Sequence, residues 1–275
     1  SQQRAYIENH FNQMEAAVNA GNYQNATNGF RKYIDTPSFL RRFLAVELSG
    51  NTDSYWSYYI YKKRNDDKFY SSPIWDLDLA FENDHRTYPI NTRTGDQWIY
   101  ASTGSTANGM RSLLNRILSD PALVEEMKNI YAEYRDKQQI TAERLLQFTD
   151  SLAEVLDVSQ QLNFTRWPVM NEYVHENPVI HGSYAAEVEN VKNYIADRVA
   201  WMDDKMNYTP TKLLDLDAFT GKNCLQVYSL QGNVIRQQNI RLSEIPLIMR
   251  DLASGCYILR YTGAGKTRTM KWIVE

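Results

Sequence analysis

The chain has 275 residues, of which 43% are hydrophobic and 23% are charged, as is typical of soluble globular proteins. Its formal net charge of -3 provides no basic surface, which argues against a nucleic-acid partner. No apolar run approaches the roughly 20 residues of a membrane-spanning helix, so we expect no transmembrane segment.

Two helices are predicted at the N-terminal end. In the second helix, the pattern predicts Thr36 as the N-cap, Pro37 at the first helical position and Gly50 as the end. The apolar residues of the first helix are Ile7, Phe11, Met14 and Val18. Those of the second helix are Phe39, Phe43 and Val46. Both sets recur at helical spacing, so we expect them to face a core.

The pattern then changes to that of a β-hairpin. Residues 55–63 are aromatic and β-branched, a polar turn follows, and residues 69–81 resume an extended pattern. The second strand is predicted to carry Asp76 and Asp78 on one side. The other side would hold Trp75, Leu77 and Leu79.

Residues 84–107 are irregular and polar, and a loop of this length is usually functional or mobile. Three amphipathic helical patterns follow, with Ser119 predicted as the cap of the first. They cover residues 119–137, 141–162 and 183–206. We assign their apolar stripes to core packing.

The last part of the chain predicts a small all-β domain. Residues 207–223 read as a linker, and the alternating strands beyond it are joined by hairpin turns at 231–233 and 263–265. The predicted fold is therefore α+β: a mostly helical domain over 1–210 with a β-hairpin, then an immunoglobulin-like β-sandwich over 211–275. Cys224 and Cys256 are either small buried strand residues or a disulfide.

Three acids are candidates for chemistry: Asp53, which follows a helix end, and the pair Asp76 and Asp78. Three converging carboxylates repel one another unless a cation lies between them, and oxygen ligands favour Mg²⁺ or Ca²⁺. An aspartate in the position of Asp53 is usually a turn residue or cap, and an Asp-x-Asp pair on a strand is usually a solvated face. Residue chemistry alone leaves the choice open.

The segment from Phe43 to Phe81 resembles the central signature of the CotH kinase family, which is related to spore coat protein H. The matching elements are "EL..N.D", a strand ending near "YK", and "WDLDLAF" at 75–81. The resemblance covers about residues 34–206. It implies a kinase-like fold that binds ATP and a divalent metal between two lobes.

The resemblance assigns roles residue by residue. Asp53 stands where the catalytic aspartate orients or deprotonates the acceptor hydroxyl, and Asp76 and Asp78 stand where acids hold Mg²⁺. Ser57 and Trp75 fall at cofactor-binding positions. The implied partners are ATP and a protein acceptor.

Three features depart from the family pattern. Glu82 replaces the glycine expected after "AF", and Ser57 stands where a kinase loop places an asparagine. Nothing before Asp53 reads as a glycine-rich loop or a strand lysine that grips phosphates. We therefore expect the chain to be the C-terminal part of a longer kinase.

The tail resembles a C-terminal sorting domain of the type IX (Por) secretion system. The elements "VY.L.G..V", "L.SG.Y.L" and the terminal "K.IV" match it within residues 214–275. The resemblance implies recognition by the type IX export machinery. It also implies that the protein is secreted or attached to the outer cell surface.

Two other interpretations remain open. A decayed kinase scaffold could serve surface binding or adhesion, with the acids holding Ca²⁺ or the hairpin aromatics contacting glycans. Alternatively, Asp76 and Asp78 form ion pairs with nearby Arg or Lys and are purely structural.

His85, with Asp84 and Arg86, could also touch phosphate, although a single loop histidine is more often solvated.

Overall fold

The computed structural model describes residues 1–85, 93, 95, 97–102, 108–209, 223–240, 245–263 and 266–274. The protein is a mixture of helices and two small antiparallel sheets. Its chain divides into two compact units, Ser1–Thr209 and Pro210–Glu275. Within the described residues, no helix has the length and apolarity that crossing a membrane requires.

The described part of the first unit is mainly helical. Its helices are α1 (Gln2–Asn19), α2 (Thr36–Ser49), α3 (Ile99–Ser102), α4 (Asn108–Ile117), α5 (Pro121–Asp136), α6 (Ala142–Arg166) and α7 (Tyr184–Lys205). Short 3₁₀ turns lie at Phe30–Lys32 and Thr52–Tyr55. The strands β1 (Ile60–Lys62) and β2 (Phe69–Ser71) form an antiparallel pair.

Helix α2 is bounded as its sequence predicts, with the cap one residue earlier. Asp35, rather than Thr36, is the N-cap, and its carboxylate accepts a hydrogen bond from the Ser38 amide at 3.0 Å. Pro37 lies in the first turn, where its missing N–H costs nothing. At α5 the cap is shifted by one residue in the other direction, because Asp120 rather than Ser119 is the N-cap.

The core of the first unit is built around α2. Phe39, Phe43 and Val46 are buried, which confirms their predicted orientation. Met14 and Val18 of α1 join the same cluster. Ile7 and Phe11, the other residues of the predicted α1 stripe, are each 42% exposed. Of that stripe, only the part near the C-terminal end of the helix therefore contributes to the core.

The core prediction is wrong for α6. This 25-residue helix contains no buried residue, although it packs along α7. Phe148, Val155 and Leu162 are between 60% and 78% exposed. Helix α7 instead faces the core with six buried residues, among them Met202. Periodicity identified both amphipathic helices but could not tell which apolar stripe reaches the core.

The predicted second hairpin strand is also wrong beyond its first three residues. Strand β2 ends at Ser71, and residues 73–85 are irregular, so Asp76 and Asp78 do not lie on a strand. Pro73 lacks the amide that would continue the ladder. Asp76 has a φ of 56°, which breaks the alternation of faces.

The second unit contains one described sheet with the strand order β4–β3–β5–β6, all antiparallel. The strands are β3 (Asn223–Ser229), β4 (Val234–Ile240), β5 (Gly255–Gly263) and β6 (Lys266–Val274). Leu225 and Val227 pair with Tyr261 and Leu259, and these four buried residues pack with helix α8 (Ile245–Met249). The described residues hold no second sheet, so the sandwich stays a prediction.

The two cysteines lie on neighbouring strands and both are free. Cys224 pairs with Thr262, whereas Cys256 lies at the other end of β5, beside Tyr257, which pairs with Ser229. At about 3.3 Å per strand residue, this register separates them far beyond disulfide distance.

Candidate functional site

The site begins where α2 ends. Gly50 has a φ of 72° and donates its amide to the Val46 carbonyl at 2.9 Å, which closes the helix in a left-handed cap. Asn51 then caps the 3₁₀ turn Thr52–Tyr55, since its side-chain oxygen accepts the Asp53 amide at 3.1 Å. Asp53 is therefore fixed by backbone geometry directly after α2.

A buried ion pair between α2 and α7 stabilises the 3₁₀ turn that contains Asp53. Glu47 and Arg198 are both 0% exposed, and the guanidinium of Arg198 lies 3.1 Å from the carboxylate. The Glu47 oxygens also accept from the Tyr55 hydroxyl at 2.6 Å and from the amides of Ile99 and Tyr100 at 2.8 and 3.0 Å. Burial raises the pKa of Glu47, which Arg198 and these donors oppose. Every partner donates, so the carboxylate form satisfies all of them.

Asn51 connects the two segments that carry the predicted site acids. Its side chain is 0% exposed. Its amide nitrogen donates to the Asp76 carbonyl at 2.7 Å, while its oxygen holds the Asp53 amide. One buried side chain therefore binds the backbones of Asp53 and Asp76, which are 23 residues apart in sequence.

The acidic segment after Pro73 folds as consecutive turns anchored to α2. The Phe81 amide donates to the Ser49 carbonyl at 2.7 Å, and Asn83 donates to the Asp78 carbonyl at 2.8 Å. Asp76, Phe81 and Glu82 have φ values of 56°, 56° and 66°. Non-glycine residues rarely adopt this region, and such conformations cluster at functional sites.

The three predicted acids are accessible to solvent. Asp53 is partly exposed, and Asp76 and Asp78 are exposed. Within the described part of the chain, their carboxylates have no ion pair and no side-chain hydrogen bond. They do not form a group of three ligand atoms that all lie within 4.8 Å of one another. Asp53 and Asp76 are joined through Asn51, and Asp78 lies one turn further on.

The two predicted cofactor-binding residues contact each other. The Trp75 indole donates to the Ser57 carbonyl at 3.4 Å, and the Ser57 amide is bound to the Asp53 carbonyl at 2.9 Å. The Trp75 side chain is 48% exposed and meets Tyr59 edge-on at 5.6 Å between ring centroids. An exposed indole plane therefore lies next to the acids.

Glu82, which replaces the expected glycine, keeps the backbone that a glycine would adopt. Its carboxylate is buried and lies 2.7 Å from the guanidinium of Arg93. Arg93 also donates to Asn190 of α7 at 2.7 Å. This network offsets the cost of a left-handed glutamate by fixing the acidic segment to α7.

A cleft of about 1020 Å³ lies between residues 77–83, the α6–α7 pair and their connecting segment. Asp78 and Glu82 line this cleft together with apolar residues of α6. Asp53 and Asp76 do not line it. Of the predicted acids, Asp78 is thus the one that lines this open cleft, which has the size of a ligand pocket.

Sequence reasoning assigned no role to Glu47 or Asn51, although both letters belong to the "EL..N.D" element. The signal that could have identified these two residues is their spacing from Asp53 within this element. Their partners are far away in sequence, and Arg198 lies 151 residues after Glu47. Arg86, which was predicted beside His85 as a phosphate contact, lies outside the described residues.

Comparison with known families gives two matches. The model described as "CotH kinase protein" matches residues 1–202. The model described as "Secretion system C-terminal sorting domain" matches residues 213–275. Neither the curated proteins nor the solved structures give a match.

Proposed function

Because the chain belongs to the CotH kinase protein family, we propose that it carries the catalytic and metal-binding acids of an atypical protein kinase. In this proposal the full-length parent transfers the γ-phosphoryl group of ATP to a protein hydroxyl. The proposed domains are a kinase C-lobe-like domain over 1–210 and an immunoglobulin-like sorting domain over 211–275.

The protein is exported. It carries a secretion sorting domain over residues 213–275, which directs it to the cell surface or the medium and implies the type IX export machinery. The acceptor of the proposed reaction would therefore be a protein that meets the kinase during or after export.

The observation that carries the proposal is the Asn51 bridge between Asp53 and Asp76. Phosphoryl transfer depends mainly on positioning and on neutralising charge, so the residues involved must be held in a fixed relation. Asp53 has no described ion-pair partner and would orient or accept the proton of the acceptor hydroxyl. A loss of about 10²–10⁴-fold in rate is expected for Asp53→Asn.

The donor set fits Mg²⁺. Asp76 and Asp78 are exposed carboxylates without described partners, and Mg²⁺ uses one or two protein carboxylates together with water and substrate phosphates. Bound Mg·ATP supplies the phosphoryl group and the cationic charge that balances it. Asp76 would be the main ligand, Asp78 would support it from the cleft side, and Ser57 and Trp75 would border the nucleotide.

The test is Asp76→Asn in the full-length parent. Asparagine has the same shape and tolerates a positive φ, so the backbone turn is kept while the charge is lost. We expect magnesium-dependent ATP binding, measured by calorimetry, and phosphate transfer from labelled ATP to be lost. Asp67→Asn, at an exposed acid near the hairpin turn, is the control and should leave both intact. Phosphate transfer that survives Asp76→Asn would refute the assignment.

A second candidate is a cell-surface binding protein on the same scaffold. The supporting observation is the exposure of aromatic side chains at and after the hairpin: Tyr59, Tyr61 and Trp75 are 58%, 46% and 48% exposed. Such rings can contact glycans, and Ca²⁺ could occupy the acids. A well-folded parent that binds Ca²⁺ or an oligosaccharide but no ATP would favour this function.

A further inference from the structure

A second group of metal-ligating side chains lies outside the proposed catalytic acids. Asp84, His85 and Glu176 each present a ligand atom, and all three atoms lie within 4.8 Å of one another. Asp84 and His85 directly follow the acidic segment, whereas Glu176 belongs to the connection between α6 and α7. In the described part of the chain this is the one group with that geometry.

The backbone holds the two halves of this group together. The His85 amide donates to the Glu176 carbonyl at 2.8 Å, which joins segments about ninety residues apart in sequence. Asn177 stabilises the turn on the other side, since its side-chain oxygen accepts the Val174 amide at 2.9 Å. The ligands are therefore attached to a fixed frame.

The surroundings of the three side chains are suited to a cation. Asp84 is 0% exposed, and its carboxylate accepts the Thr52 hydroxyl at 2.6 Å, an outer contact of the kind that orients metal ligands. Glu176 Oε2 contacts His85 Nδ1 but is a buried oxygen without a hydrogen bond in the described structure. Two carboxylate oxygens and one ring nitrogen therefore lie close enough to one another to share a cation.

We propose that Asp84, His85 and Glu176 form a binding site for a divalent transition metal of the zinc class. One imidazole and two carboxylates suit Zn²⁺, whereas Mg²⁺ prefers oxygen ligands alone. Ligand bonds of about 2.0–2.2 Å place ligand atoms at most roughly 4.4 Å apart, so small side-chain rotations complete the site. The His85 side chain is 56% exposed, which leaves the fourth position open to water.

The metal would join the segment after "WDLDLAF" to the α6–α7 connection, and so fix one end of the cleft that Asp78 lines. This role does not depend on ATP, on Mg²⁺ or on phosphoryl transfer. The site can therefore exist whether the parent is a kinase or a binding protein.

The experiment uses the tag-free 275-residue chain after removal of metals with EDTA. Zn²⁺ is titrated by calorimetry, thermal unfolding is measured with and without Zn²⁺, and Co²⁺ absorption reports the ligand geometry. We expect one bound Zn²⁺, a higher Tm in its presence, and at least a tenfold loss of affinity in His85→Ala and in Glu176→Gln.

The matched control is His175→Ala, which removes a neighbouring exposed histidine of the same turn and should leave the affinity unchanged. Asp76→Asn should also bind Zn²⁺ normally, which separates this site from the proposed magnesium site. Absence of Zn²⁺ binding in the wild type, or equal affinity in wild type, His85→Ala and Glu176→Gln, would overturn the proposal. Circular dichroism verifies that each variant is folded.

Discussion

At the scale of single residues, Asn51 is the side chain on which the candidate site most depends. It is fully buried and makes one hydrogen bond to each of the two acid-bearing segments. Asn51→Ala leaves the Asp53 amide and the Asp76 carbonyl without this partner. Because two partly buried hydrogen bonds and a fully buried side chain are lost, we expect the free energy of unfolding to fall by about 1–3 kcal/mol in urea denaturation. The affinity of the proposed site for Mg²⁺ should also fall at least tenfold, because Asn51 orients the segments that carry its ligands.

Asn83→Ala is the control for this variant. Asn83 makes the same kind of bond, to the Asp78 carbonyl at 2.8 Å, but at the exposed surface, where water can replace it. Its effect on stability should stay within about 0.5 kcal/mol. Equal effects of the two substitutions would show that Asn51 is not the link between the segments.

Some residues of the candidate site could be predicted from the sequence, and others could not. Asp76 and Asp78 could be selected because acids between large apolar residues are unusual and match a family element. The buried pair of Glu47 and Arg198 could not, because the partners are 151 residues apart and each alone resembles an ordinary amphipathic helix position. Long-range pairing of this kind is decided by tertiary packing, which residue spacing does not encode.

At the scale of elements, Gly50 determines how α2 leads into the site. It adopts a φ of 72°, and a Cβ at this position would lie 2.2 Å from the Tyr194 hydroxyl oxygen. Gly50→Ala therefore combines a left-handed penalty of about 1–2 kcal/mol with a steric clash. We expect the free energy of unfolding, measured by urea denaturation, to fall by more than the backbone penalty alone.

Gly109 in α4 is the matched control for that substitution. A Cβ there meets no atom within 4 Å, and the residue lies in a helix. Gly109→Ala should leave the free energy of unfolding unchanged or raise it by at most about 0.5–1 kcal/mol, because alanine loses less conformational freedom in a helix and Gly109 lies in the first turn of α4. A neutral result for Gly50→Ala would mean that α2 does not need its left-handed cap.

The elements that were predicted well have local causes. Helix α2 follows from its Pro37 and Gly50 boundaries and its apolar spacing. The extended strand through Asp76 failed because Pro73 ends the ladder and tertiary contacts to Ser49 and Asn51 fold the next residues into turns. The prediction that α6 is buried was wrong because a helix pattern specifies an apolar face but not whether that face lies in the core.

At the scale of the whole molecule, each unit has its own hydrophobic core. One cluster surrounds α2 in the first unit, and the other lies between the sheet and α8 in the second. A unit with its own core can unfold cooperatively by itself. We therefore expect two transitions in differential scanning calorimetry of the full chain.

Two buried leucines assign these transitions. Leu123 of α5 and Leu225 of β3 are both 0% exposed. Truncation of a buried leucine to alanine costs about 2–5 kcal/mol. Leu225→Ala should lower the Tm of one transition and Leu123→Ala that of the other, because each removes contacts from one core only. Zn²⁺ should raise the transition that Leu123→Ala lowers, since its proposed ligands lie in the first unit. A single transition that both substitutions lower equally would show instead that the two cores unfold as one cooperative structure.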